Sequence, residues 1–193
     1  GISEKPDAAD KLLPLIYDLT TPENVNAKDC DWGTALHYLA KGISEKPDAV
    51  NQLLPLISNL TTTENVNAKD CDERTSLHYL SMGLYLKQNT LDKLSSQCIE
   101  LMRKENVNVC DIEGLTPFSW VLAKKTKFMT DSDRMTLSHL EKKYMEMGAD
   151  VGLAKRGVAA YVYKIKRAVE RIDNYLGAEI WTENSLREML DLA

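Results

Sequence analysis

The chain has 193 residues, of which 44% are hydrophobic and 27% charged, and its formal net charge is −5. This length suits one domain or one short repeat array, and the composition is that of a folded globular protein. The acidic balance argues against a generally basic surface for nucleic acid, and no apolar run approaches the roughly 18–20 residues of a membrane span. Because the start shows no signal-peptide pattern, we expect a soluble intracellular protein of the cytoplasm or nucleus that does not act on membranes.

An internal repeat dominates the sequence. Residues 2–42 align without a gap to residues 43–83, so the offset is 41, and 30 of the 41 aligned positions are identical. The tripeptide Asn-Val-Asn recurs at residues 24–26, 65–67 and 106–108, and a degraded match follows at residues 148–151. The pattern predicts a partial unit at residues 1–23 and units at 24–64, 65–105 and 106–147. Because Gly1 leads directly into the repeated segment, we interpret the chain as a piece of a longer protein.

Each unit predicts a turn followed by two helices. A polar turn comes first, and a short helix begins with Thr75 as its N-cap and ends at Gly83, whose counterpart one unit earlier is Gly42. A longer helix starts near Pro47, which suits a first helical turn. Its apolar residues recur at helical spacing: Val50, Leu53, Leu54, Ile57 and Leu60.

Two prolines lie inside these longer helices. Pro14 and Pro55 each remove a backbone hydrogen-bond donor from a helix interior, which predicts a kink or a break at Leu54–Pro55. A single unit cannot bury its apolar face, whereas stacked units can. The sequence therefore predicts an all-α solenoid.

The C-terminal segment departs from the repeat. Residues 157–176 predict one long amphipathic helix that Gly177 ends, and a shorter helix follows Thr182 with Leu186, Met189 and Leu190 on one face. This pair either caps the last repeat or forms a separate docking element. The basic residues of the long helix fit a solvated face most simply, with a docking site for an acidic protein segment as the alternative, and no motif supports nucleic acid. They are Lys155, Arg156, Lys164, Lys166, Arg167 and Arg171.

The repeated pattern resembles the ankyrin repeat, whose signature is a hairpin turn followed by T-P-L-H-x-A. The matching segments, within residues 2–152, are Thr34-Ala35-Leu36-His37, Thr75-Ser76-Leu77-His78 and Thr116-Pro117-Phe118-Ser119. Ankyrin units usually span about 33 residues rather than 41. The signature glycine of the turn is kept only as Gly114, because Trp32 and Glu73 fill its place in the other units, whose turns are expected to be reshaped.

This resemblance implies an ankyrin-repeat solenoid of stacked helix pairs with hairpin fingers over residues 1–152. Residues 153–193 would form a helical cap in the same solenoid. An F-box-like tail is a further alternative for this segment, but the stretch after Gly177 lacks the expected proline-rich start.

The resemblance also implies where a partner would bind. Ankyrin partners usually lie against the finger tips and the inner helices, which map here onto finger 1 (residues 30–33), finger 2 (residues 71–74) and finger 3 (residues 112–115). The two near-identical units differ at 11 positions, and five of these fall on a finger or an inner helix. This favours variable tips that meet a partner over neutral drift of exposed positions. The predicted partner-binding residues are Cys30, Asp31, Trp32, Lys41, Asp72, Glu73, Arg74, Met82, Ile112, Glu113 and Leu115.

Trp32 is the most informative of these residues. Tryptophan is costly to expose and is enriched among interface hot spots, although it could instead fold back onto a neighbouring unit. Ile112 and Leu115 are apolar where solvent is expected, and Asp31, Asp72 and Glu113 add acidic groups. This mixed ridge suits a partner protein with basic and apolar groups.

The sequence offers no catalytic set. His37 and His78 are the signature histidines of the repeat, which the resemblance implies bond to the turn backbone. The four cysteines match no zinc spacing and favour free thiols over a disulfide framework, and Cys98 is expected in a helix core. We therefore expect a non-catalytic protein-binding module without metal or cofactor, with a structural spacer as the alternative. Similar arrays occur in effectors of intracellular bacteria and in viral host-range proteins, which implies a host protein as partner.

Overall fold

The computed structural model describes residues 21, 24–47, 50–86, 91–124 and 129–176. The predictions for Pro14, for most of the partial first unit, for the stop at Gly177 and for the helix after Thr182 lie outside these residues. The described part contains seven α-helices and no β-strand, so the all-α class is confirmed there. The helices are α1 (Ala35–Glu45), α2 (Val50–Leu60), α3 (Ser76–Leu86), α4 (Leu91–Leu101), α5 (Pro117–Ala123), α6 (Asp131–Glu146) and α7 (Val151–Leu176).

The helices form two contacting rows. Helices α1, α3, α5 and α7 touch one another in that order, and α2, α4 and α6 do the same in a second row. Each of the first three helices in the first row also contacts the helix that follows it in the chain. Consecutive helix pairs therefore lie side by side, and each apolar face is covered by the next pair.

The core lies between the two rows. In α2 the side chains of Leu53, Leu56, Ile57 and Leu60 are buried, which includes Leu56, a position that the predicted apolar stripe had missed. In α4 the thiol of Cys98 is fully buried, as predicted. A second cluster joins the end of the stack and consists of Leu115, Trp120, Ala123 and Val158.

Helices α1, α3 and α5 begin directly after the threonine of their unit, as predicted. Thr34 and Thr116 have extended backbone conformations directly before α1 and α5 and form capping boxes, and α3 starts directly after Thr75. Threonine side chains suit this position because they satisfy amide groups that a helix start leaves unpaired.

The predicted helix stops at Gly42 and Gly83 are wrong. Helix α1 continues to Glu45 and α3 to Leu86, so α1 is as long as α2, at 11 residues each. Packing explains Gly83, because a Cβ atom built there would lie 2.5 Å from the Ser44 Cβ and 2.8 Å from the Ser44 Cα. Gly83 thus allows α1 and α3 to approach closely rather than ending a helix.

Two further helix predictions need correction. Helix α2 runs through Pro55 as one element, so the predicted break is absent. One missing amide donor removes a single hydrogen bond, and the packed apolar face holds the remaining turns. The long C-terminal helix begins at Val151, before the expected residue 157 and before the boundary at 153. Among the described residues, no helix is long and apolar enough to cross a membrane.

The close approach at Gly83 can be tested against its counterpart. We expect Gly83→Ala to lower the free energy of unfolding by about 1–3 kcal/mol, since the new methyl group would meet the Ser44 backbone. Gly42→Ala is the matched control, because a Cβ atom there meets no described atom within 4 Å, and it should stabilise α1 by up to about 1 kcal/mol. Urea unfolding of both variants measures the difference. A Gly83→Ala protein as stable as the parent would contradict the packing role.

Candidate protein-binding surface

Each finger is held by the aspartate directly before it. The Asp29 Oδ1 accepts hydrogen bonds from the amides of Asp31 and Gly33 at 3.0 and 2.9 Å. Asp70 and Asp111 make the same pair of bonds in fingers 2 and 3. Aspartate side chains favour such local turns, and here they fix three fingers in one shape.

The fingers keep a left-handed residue whichever side chain is present. The φ angles are +63° at Trp32, +57° at Glu73 and +80° at Gly114. The expectation of reshaped turns is therefore wrong. A non-glycine residue in this conformation costs roughly 1–2 kcal/mol, so fingers 1 and 2 carry backbone strain that finger 3 avoids.

Neighbouring fingers are joined by backbone hydrogen bonds. The Cys71 amide donates to the Asp31 carbonyl at 2.9 Å, and the Ile112 amide donates to the Asp72 carbonyl at 3.0 Å. The tips therefore form a continuous ridge. A partner that binds one finger also meets the next at a fixed spacing.

The histidines connect one unit to the next. The His78 Nδ1 accepts a hydrogen bond from the Thr75 amide at 3.0 Å, and the opposite nitrogen, Nε2, lies 3.1 Å from the Val109 carbonyl and 3.2 Å from that of Leu115. His37 makes the equivalent contacts. This geometry places the proton on Nε2 of a neutral ring, and it confirms the expected bond to turn backbone.

The third unit replaces histidine with a hydroxyl. Ser119 accepts a hydrogen bond from the Thr116 amide at 3.0 Å, and its own hydroxyl donates to the Ala154 carbonyl of α7 at 3.1 Å. A Cβ atom at Gly157 would lie 2.5 Å from the Gly114 carbonyl oxygen. Helix α7 therefore packs directly against finger 3.

Buried asparagines form a second connection that the sequence analysis missed. The Asn106 carboxamide donates to the Leu101 carbonyl at 2.9 Å and to the Val66 carbonyl of the preceding unit at 3.1 Å. Asn65 makes the corresponding pair of bonds. The 41-residue spacing of Asn-Val-Asn was the available signal for this role.

Arg74 is part of the framework rather than a free tip residue. In the first two units a tyrosine hydroxyl closes the turn, as where Tyr79 donates to the Asp70 Oδ2 at 2.6 Å. The third unit has Trp120 at that position, and the Arg74 Nε instead donates to the Asp111 Oδ2 at 3.2 Å. The Asp111 side chain is fully buried, so Arg74 supplies the cation that a buried carboxylate needs.

Other predicted site residues are also structural. Leu115 is buried in the second cluster, contrary to the expectation of exposure. Met82 is half-buried and packs against both clusters. Ser81, one of the variable positions, is fully buried and lies 2.7 Å from the Tyr144 hydroxyl. Variation between the units thus reflects packing partners at several positions.

The remaining site residues lie at the surface. Trp32 is 63% exposed and Ile112 is 57% exposed, so Trp32 does not fold back onto a neighbouring unit. The Lys28 Nζ lies 5.4 Å from the centre of a Trp32 ring. The other surface members of the predicted set are half-buried Asp72 and Glu113, and exposed Cys30, Asp31, Lys41 and Glu73. Glu113 pairs with Lys164 of α7 at 2.7 Å.

A groove lies between fingers 1 and 2. The groove and the open space above it have a volume of about 530 Å³, and the lining includes Asp31, Asp72, Tyr38 and Lys41. Loss of hydration and the carboxylates of Asp72 and Asp31 raise the pKa of the Cys71 thiol beside it. Three carboxylates line the groove, those of Asp31, Asp70 and Asp72, against the one ammonium group of Lys41, so the lining carries excess negative charge.

All four cysteines are free, with Cys30 and Cys71 exposed on the fingers. Among the described residues, no group of three or more histidine, cysteine or acidic side chains is placed to hold a metal ion. No protein-family model and no curated protein matches this chain.

The histidine bridge predicts a pH dependence of stability. Burial lowers the pKa of His78 to about 4, whereas an unfolded histidine titrates near 6.5. Between these values the unfolded chain binds more protons, so the free energy of unfolding should fall as the pH drops from about 6.5 to 4, by on the order of 2–3 kcal/mol. Burial also lowers the pKa of His37, which adds to the effect in the same direction.

The control for this prediction is His78→Ser, which copies Ser119 and cannot titrate. Denaturant unfolding at several pH values should show a shallower fall in stability for this variant than for the parent. Equal slopes in the two proteins would contradict the assignment of the dependence to His78.

A separate prediction concerns Arg74. Replacing it with alanine should lower the free energy of unfolding by about 1–3 kcal/mol, because the buried Asp111 loses its partner. Asp72→Asn is the matched control: it removes the other Arg74 partner, whose side chain is 42% exposed, and should change stability by less than about 1 kcal/mol. Thermal unfolding compares the two. If Arg74→Ala were as stable as the parent, the framework role would be wrong and Arg74 would be a free tip residue.

Proposed function

We propose that this chain is an ankyrin-type solenoid that binds another protein along the ridge of finger tips, without catalysing a reaction. The single observation that carries the proposal is the exposed Trp32 held in a left-handed backbone conformation. The two stacked helix rows, the joined fingers and the histidine bridges support the ankyrin assignment.

The strain at Trp32 favours binding over a purely structural role. Glycine would relieve the strain, and finger 3 has glycine at this position. A bulky apolar side chain in its place raises the energy of the fold and exposes apolar surface to water. Strained residues of this kind cluster at functional sites, and exposed tryptophans anchor interfaces.

The chemistry of the ridge indicates the kind of partner. Trp32 and Ile112 offer apolar contacts at fingers 1 and 3, and the electronegative groove between fingers 1 and 2 suits a lysine or arginine side chain. A partner segment with one basic group flanked by apolar residues would match both. The backbone bonds between the fingers keep these subsites at a fixed spacing.

Trp32→Gly separates binding from folding. The variant should be as stable as the parent or up to about 1 kcal/mol more stable, because glycine removes the backbone strain. Its affinity for the partner should fall by at least tenfold, the usual effect of losing a hot-spot tryptophan. Affinity capture followed by titration of the purified captured protein measures the affinity, and thermal unfolding measures the stability.

Met135→Ala is the matched control, since Met135 is 75% exposed on α6, in the other helix row. This variant should bind as the parent does. If no captured protein binds the parent more tightly than it binds Trp32→Gly, the result would favour the alternative function, a spacer that only sets the distance between other parts of a longer protein.

A further inference from the structure

The outer face of α7 carries a stripe of residues with coiled-coil spacing. Arg156, Ala160, Tyr163, Arg167 and Arg171 follow one another at steps of four, three, four and four residues, which places them along one side of the helix. All five are exposed, and Tyr163 is 59% exposed. The opposite side of α7 faces the stack through Ala154 and Val158.

The stripe lies in a mostly basic stretch of the chain, and Glu170 and Asp173 are the acidic residues of α7. Residues 151–169 contain five basic and no acidic residues, whereas solvated helices usually intersperse the two signs. Helix α6 shows the ordinary arrangement, with Lys142 and Lys143 both paired to Glu146. Among the described residues, Lys164 is the only residue of α7 that forms an ion pair.

The centre of the stripe is shaped for a packed helix. Ala160 is small and leaves room for a close approach, and Tyr163 beside it presents a ring with the Arg167 guanidinium 6.0 Å from the ring centre. The small and aromatic residues provide apolar contact area, and the arginines on either side of them provide charge. Arginine also binds carboxylates in a bidentate manner.

Charge selects among the possible occupants. Residues 151–176 hold six basic and two acidic residues, which is a net charge of +4. The other 167 residues therefore carry a net charge of −9, which gives −5 for the whole chain. That acidic body disfavours a long polyanion such as nucleic acid, which would extend past the helix. A second α7 would place arginines against arginines. A short acidic helix meets the basic stripe without either repulsion.

We propose that the α7 stripe is a second docking surface, which binds an acidic amphipathic helix of another protein. The partner's apolar residues pack over Ala160 and Tyr163, and its carboxylates pair with Arg156, Arg167 and Arg171. This surface is separate from the finger ridge and is independent of the ridge's function.

The test uses the full chain and a fluorescently labelled synthetic peptide, with leucines at the two apolar heptad positions and glutamates beside them. Fluorescence anisotropy should show saturable binding, at least tenfold tighter than to a scrambled peptide of the same composition. Arg156→Ala/Arg167→Ala/Arg171→Ala should weaken binding at least tenfold. Tyr163→Ala, which keeps every charge, should weaken it about fivefold.

The matched control is Arg134→Ala/Lys142→Ala/Lys143→Ala, which removes the same charge from α6 and should leave binding unchanged. Equal binding of the scrambled peptide, equal losses in the two triple variants, or no binding at millimolar peptide would overturn the proposal. Tighter binding of a single-stranded oligonucleotide at the same salt would overturn it in favour of nucleic acid. Sedimentation that shows arginine-dependent dimers would overturn it in favour of a second copy.

Discussion

A single side chain in each unit bridges a helix start to the next element of the stack, and the rest of the structure depends on this bridge. His37, His78 and Ser119 all lie at the third helical residue, where each accepts a hydrogen bond from the preceding threonine amide. The other side of the same group reaches a carbonyl of the following unit or of α7. Helix starts leave amides unpaired, so one group satisfies a local need and sets the position of the neighbouring element.

Because these connections act on backbone atoms, the finger side chains are free to differ. Trp32, Glu73 and Gly114 share one backbone conformation and have three unrelated side chains. The aspartate before each finger accepts hydrogen bonds from two amides and thereby stabilises that conformation even for tryptophan. A fixed scaffold with variable tips is the arrangement expected of a binding surface.

The sequence predicted several of the features that repeat, although it missed the asparagine bonds between units, and it missed features that depend on contacts between unlike units. The bonds of the histidines to turn backbone followed from the resemblance to the ankyrin repeat, and the helix starts at the threonines and the buried Cys98 followed from local pattern. Gly83 did not, since its role comes from Ser44 of the adjacent unit. Arg74 and Leu115 were misplaced for the same reason: the first compensates for Trp120 in the next unit, and the second is covered by α7.

Helix α7 combines a packed face and a charged face. One face of α7 packs Tyr161 against Trp120, with 5.7 Å between ring centres, and Trp120 in turn lies 5.3 Å from Tyr85. That aromatic series fixes the rotation of α7 about its axis, so its basic stripe points outward at a defined angle. A helix face that only needed solubility could mix charges of both signs. The absence of acidic residues from residues 151–169 is therefore not required by solubility, and it gives this part of α7 a basic outer face, opposite in charge to the lining of the groove between fingers 1 and 2.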